Sequence, residues 1–172
     1  MEREITVPVK LDAKTFRRFS FFDTFVLRKR WIRPAAFAAI LFAFAAVALI
    51  SRKPQSGLIA AVLLVVGLGL PLVYVGTFLS QVNLQAAKLD PPRRVYTVGL
   101  TFDGVRVAND QRKEDAQFVK WADVPAAFRR KGCVYLYVAP ARAYLIPDGQ
   151  ANTDDEAVWS YLHEHMGERC KG

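Results

Sequence analysis

Few residues in this chain have the types and spacing for chemistry. His163 and His165, with Glu164 between them and Cys170 nearby, have metal-ligand character. Residues two apart on a helix point about 200° apart, so one helix cannot present both histidines to one ion. They are expected as solvated polar groups near the end of a terminal helix. Trp121 and Asp123 could frame a site, but a core tryptophan and a turn-capping aspartate suit the local pattern better. The sequence has no Gly-rich phosphate loop, nucleophile elbow or evident carboxylate pair. Arg129, Arg130 and Lys131 form the dense cationic cluster of the polar part of the chain. They are candidates for contact with lipid phosphate or a partner, and a solvated turn is the alternative. No catalytic, cofactor-binding or metal residue is expected, and no cofactor.

The elements that must position these groups are organised by two uncharged apolar runs, Pro34–Ile50 and Gly57–Leu79. At about 1.5 Å per helical residue they span roughly 25 and 34 Å, against a hydrocarbon core of about 30 Å. Both are apolar all round, unlike the single stripe of a soluble core helix. They predict a transmembrane helical hairpin within 31–82. The short connector Ser51–Ser56 enforces an antiparallel return, and Pro54 stops the first helix. Small residues recur along the runs: Ala35, Ala39 and Ala43, then Gly69, Gly76 and Ser80. Such faces let helices approach closely in lipid, and here they predict the contact within the hairpin, with a homo-oligomer interface as the alternative. The runs carry none of the ionisable residues on which ion and proton pathways depend, which argues against a transporter or channel.

The net charge of +8 is unevenly placed. Residues 1–33 carry nine Lys/Arg and four Asp/Glu, whereas residues 86–172 carry thirteen and twelve. The excess flanks the hairpin, with Arg28, Lys29, Arg30 and Arg33 as membrane-flanking basic residues. The positive-inside rule then puts both termini in the cytoplasm and the connector, with Arg52 and Lys53, outside. A nearly neutral polar domain argues against nucleic-acid binding. In a reducing cytoplasm Cys133 and Cys170 are expected as thiols, Cys133 as a small buried residue opening a strand.

Around the hairpin the periodicity changes. Glu4–Val9 alternates like a strand that Pro8 confines to an edge. Asp12 can cap a helix over 13–28 whose Phe16, Phe19, Phe22 and Val26 share one face, with Phe21 and Phe25 beside them. That helix is expected to lie in the headgroup region or to pack on the polar domain. Residues 83–94 are expected as a linker, although polar character begins at Gln81. Strands follow at 96–102, 105–107, 116–121, 134–138 and 143–146, with an Asp103-Gly104 hairpin, a polar loop over 109–115, and a turn or short helix through Arg130. Thr153-x-x-Glu156 suggests a capping box for a last helix burying Val158, Trp159, Leu162 and Met166.

Leu100-Thr101-Phe102-Asp103-Gly104-Val105, Trp121-Ala122-Asp123-Val124, Val134-Tyr135-Leu136-Tyr137 and Ala143-Tyr144-Leu145-Ile146-Pro147, after two apolar helices, resemble the YcxB-like family of bacterial membrane proteins. The resemblance implies a pleckstrin-homology-like fold for 95–170, an α+β domain with a curved antiparallel sheet and one C-terminal helix. It supplies no catalytic residues. Asp148 follows the Ile-Pro step where a basic residue is common in proteins of this type. The expected whole is a multi-pass bacterial inner-membrane protein with an N-terminal segment over 1–30 whose Ile5–Val9 is a candidate extra strand of the sheet. Its expected role is a non-catalytic interaction or regulatory module contacting the bilayer and a protein or anionic lipid. The alternative role is a structural subunit of a membrane complex or homo-oligomer joined through the hairpin.

Overall fold

A computed structural model describes residues 4–51, 53–109 and 112–172. Arg52 of the connector and Asp110-Gln111 of the polar loop therefore lie outside the described residues. The chain divides into two compact units. One combines the N-terminal residues through Phe16 with Lys88–Gly172, and the other is Arg17–Ala87.

In the second unit, helix α2 (Ile32–Ser51) and helix α3 (Ser56–Ala87) are long and apolar enough to cross a membrane, with mean hydropathy of 2.3 and 2.7. Helix α3 runs 32 residues, about 48 Å, into the stretch expected as linker, taking residues 83–87. Nothing in Gln81–Ala87 breaks a helix, so a drop in hydropathy there does not end one. The seam between the helices differs from the expected small-residue face. It buries Ala38 and Ala45 against Ala60 and Gly67, whereas Ala39 and Ala43 are exposed and Gly69 and Gly76 have open space beside them. Gly67 is required here: a Cβ would stand 2.8 Å from the Phe42 ring. Seven-residue spacing puts successive small side chains on one seam as two antiparallel helices cross at a shallow angle, and four-residue spacing drifts off it.

The Phe-rich segment also departs from expectation. Helix α1 (Ala13–Phe21) begins at Asp12, whose Oδ1 accepts the Thr15 N–H (2.7 Å); the Thr15 side chain first, and this backbone bond second, hold the carboxyl below its usual range. After Phe21 the backbone widens into a π-helical stretch, Phe22–Leu27, closed by the Arg28 N–H on the Asp23 carbonyl (2.9 Å). The wider turn stacks Phe21 on Phe25 at 5.6 Å and sets both edge-on to Phe78 of α3 (5.3 and 5.1 Å). The hairpin is thus a partner for these rings that neither expectation supplied.

The other unit contains two four-stranded sheets and a helix. Strands β1 (Ile5–Leu11), β2 (Arg93–Leu100), β3 (Gly104–Asn109) and β4 (Arg112–Lys120) form one sheet in sequence order. Strands β5 (Ala126–Arg129), β6 (Cys133–Ala139), β7 (Arg142–Pro147) and β8 (Cys170–Lys171) form the other, in the order β7-β6-β5-β8. Strand β1 runs antiparallel to β2 from Ile5↔Leu100 to Leu11↔Arg93, so the hairpin is an insertion between two paired strands. Pro8 sits on this edge strand, where a missing N–H does no harm. Val7, Val9, Val98, Leu100, Val105 and Leu136 are fully buried in the core. Helix α4 (Asp155–Met166) buries Val158, Leu162 and Met166 as expected, whereas Trp159 is only half-buried.

Three local expectations fail. Residues 126–129 form β5, not a helix, because the segment pairs with β6. Strand β4 begins at Arg112, within the expected loop. The α4 N-cap is Asp154, with no side-chain bond. Glu156 is drawn instead to Arg129 (2.8 Å), and Asp155 accepts the Gly149 N–H (2.7 Å). Gly104 is confirmed at a turn but for another reason: a Cβ there would overlap the Val119 carbonyl and press on the Phe118 ring.

Candidate interaction surface

The predicted cationic cluster is not a single patch. Arg129 is the last residue of β5 and is half-buried, paired with Glu156 and lying 6.0 Å from the Trp159 ring centre. The Glu156 carboxylate raises its pKa, and Asp148 and Asp155 add to the acidic surroundings. Burial pushes the Asp148 carboxyl up, as does its neighbour Asp155. Arg130 and Lys131 belong to a tight hairpin turn in which Arg130 and Cys133 exchange both main-chain bonds (2.9 and 3.1 Å). Lys131 and Gly132 have φ of 44° and 81°, the left-handed pair of a two-residue hairpin loop. The Lys-Gly dipeptide was therefore a turn signal. Of the membrane-flanking residues, Arg28 is tied to Asp23 (2.8 Å), while Lys29, Arg30 and Arg33 are exposed.

The histidines do not converge, and among the described residues no cluster suits a metal ion. His163 is exposed. His165 is not solvated as expected. Its ring lies 4.4 Å from Tyr161 and 5.1 Å from Trp121, and its Nδ1–H donates to the Tyr161 carbonyl (2.9 Å). Trp121 is buried, as expected, with its indole N–H on the Thr101 carbonyl (2.9 Å). Arg169, unremarked in the sequence, closes this end by donating to the carbonyls of Trp121 and Val124 (2.8 and 2.7 Å). Cys133 is buried, which pushes its thiol up to about 12 and leaves it unreactive near neutral pH.

The opposite end of the sheets is open. A polar-rimmed cavity of about 540 Å³ is lined by Tyr96, Val107, Asn109, Gln117, Arg142 and Tyr144, among others. These lie on β2, β3, β4 and β7. Register places Tyr96 opposite Val9 and Asn109, at the same end as the Leu11↔Arg93 pair through which the chain leaves for the hairpin and returns. The Tyr96 hydroxyl accepts the Leu145 N–H (2.7 Å) and donates to its carbonyl (3.1 Å). Burial raises its pKa strongly. Arg142 and Tyr144 both donate to Gln117 Oε1 (2.6 and 3.2 Å). Tyr96 on β2 and Gln117 on β4, the latter in register with Val107, were the signal for this mouth. The period-two pattern alone could have found it.

Beside the mouth, the two edges of the first sheet differ. The β1 edge is covered: the Thr6 and Lys10 N–H groups donate to Asn152 Oδ1 (3.1 Å) and Gln150 Oε1 (2.6 Å). The Gln150 amide and the Asn152 N–H return bonds to the Lys10 and Thr6 carbonyls (2.9 and 3.1 Å). Among the described residues no strand pairs with the outer edge of β4, and Phe118 is 47% exposed on it. An uncovered edge strand is a template for main-chain pairing with another chain. No protein-family model matches this chain, and no curated protein or solved structure matches it either.

Proposed function

We propose that this chain is a membrane-anchored, non-catalytic interaction module whose sheet unit contacts a protein partner on the cytoplasmic side of a bacterial inner membrane. The β4 edge carries the reading: the same sheet covers its β1 edge with two side chains, and among the described residues no strand covers β4. The β1–β2 pairing supports a hairpin whose two flanks share one compartment, and the basic flanks favour the cytoplasm. Two sheets with a C-terminal helix support a pleckstrin-homology-like domain and membership of the YcxB-like family, with the hairpin between its first two strands. An anionic lipid on Arg129–Lys131 has less support, because Arg129 is matched to Glu156.

The test is crosslinking in intact cells with photo-reactive residues at Phe118, Arg142 and Ala39. Protein adducts at Phe118 or Arg142 are expected. The exposed Ala39, Ala43 and Gly76 favour the second reading, a subunit assembled through the hairpin. Adducts confined to Ala39, above all self-adducts, would establish it instead.

A further inference from the structure

Resting on that reading, the geometry of β4 specifies how a partner would bind. Successive residues of an antiparallel strand turn their main-chain groups alternately toward and away from the neighbouring strand. The Trp121 N–H donates to the Asp103 carbonyl (3.4 Å), so Val119 and Gln117 also face β3, in register with Val105 and Val107. Phe118 and Lys120 then direct their N–H and C=O groups out of the sheet. Both residues are exposed, as are Ala116 and Gln117, and Val119 is half-buried.

The two faces of this edge differ in chemistry. On the outer face, Phe118 is paired with Arg106 and Lys120 with Gly104. Among the side chains described, no carboxylate forms an ion pair with Arg106 or Lys120, and the Glu4 carboxylate lies over Gly99, the β2 neighbour of Arg106 on the side away from β4. On the inner face lie half-buried Val119 and, toward the mouth, Gln117 with the Arg142 guanidinium on its amide oxygen. We infer that β4 accepts an extended segment of a partner protein as a fifth strand of its sheet. The segment alternates apolar residues, placed beside Val119, with acidic residues placed opposite Lys120 and near Arg106. Main-chain bonds at Phe118 and Lys120 supply affinity, and the alternation supplies selectivity. A second copy of this chain is a poorer occupant, because β4 against β4 gathers two sets of Arg106 and Lys120 on one face.

The test pans a random peptide display library on the full chain in nanodiscs. Enriched peptides are expected to alternate Asp or Glu with β-branched or aromatic residues, and to slow hydrogen exchange at the Phe118 and Lys120 amides. Phe118→Pro removes an outward N–H without touching the β3 ladder and should weaken those peptides about tenfold or more. Lys120→Glu, which keeps the backbone intact, should shift enrichment toward basic peptides. The inference is overturned if no peptide is enriched, if enrichment ignores acidic residues, or if protection maps elsewhere. It also fails if Phe118→Pro dissolves a self-association instead. Cellular crosslinking at Phe118 separates the failures. Protein adducts there with a non-acidic peptide profile sink strand addition alone, and their absence there and at Arg142 sinks the interaction module as well.

Discussion

Strands β1 and β4 bound the same sheet, and they are finished differently. Strand β1 buries Ile5, Val7, Val9 and Leu11 on one face and spends its outer N–H groups on Asn152 and Gln150. Strand β4 leaves Phe118 and Lys120 exposed, and among the described residues no strand lies beyond them. An edge is covered by whatever chain happens to pass it, here the segment linking β7 to α4. The difference shows which edge holds the fold together and which is open to other molecules.

Substitutions can break this comparison at several strengths. The largest expected effect is Val9→Asp, which buries a charge in the core and should cost more than about 3 kcal/mol. Hydrogen exchange in nanodiscs should show protection collapsing across β1 and β2 together. Tyr96→Phe comes next, since it strands both main-chain groups of Leu145, and a loss of about 1–3 kcal/mol is expected in thermal melts. Asn152→Ala with Gln150→Ala should cost about 0.5–1.5 kcal/mol per lost bond and speed exchange at the Thr6 and Lys10 amides. If those amides stay protected, β1 is covered by something other than these two side chains. Phe118→Ala should change stability by no more than about 0.5 kcal/mol and, because it keeps the outward N–H, leave protein crosslinks from Arg142 in place.

The pH dependence sharpens the picture on the far side of the unit. Asp148 has a raised folded pKa, so its contribution is full below its unfolded value and is lost as pH rises through the folded one. Asp148→Asn should therefore raise Tm at pH 7 and leave it nearly unchanged near about pH 3. Glu156 has the opposite sign. Its depressed pKa gives a contribution present above the ordinary glutamate range and lost as pH falls through the folded value. Glu156→Gln should lower Tm at neutral pH, and the effect should shrink with added salt because the pair is exposed.

Some of this was legible in the residues. Uninterrupted apolar runs specify long helices wherever they fold, because no polar face exists to place. Period-two alternation marked β1 and β2, continuous apolar runs marked β6 and β7, and the spacing of Val158, Leu162 and Met166 marked the buried face of α4. Local chemistry also sufficed for Asp12, since its partner lies three residues away. What remained depended on distant neighbours. Ala126–Arg129 is a strand because β6 is beside it, and Glu156 leaves its capping position because Arg129 is within reach. The Ala38/Gly67 seam, the covering of β1 from 140 residues away and the bare edge of β4 are likewise decided by packing. Periodicity tells each residue which side to face. Only the assembled sheets determine what stands on that side, or that nothing does.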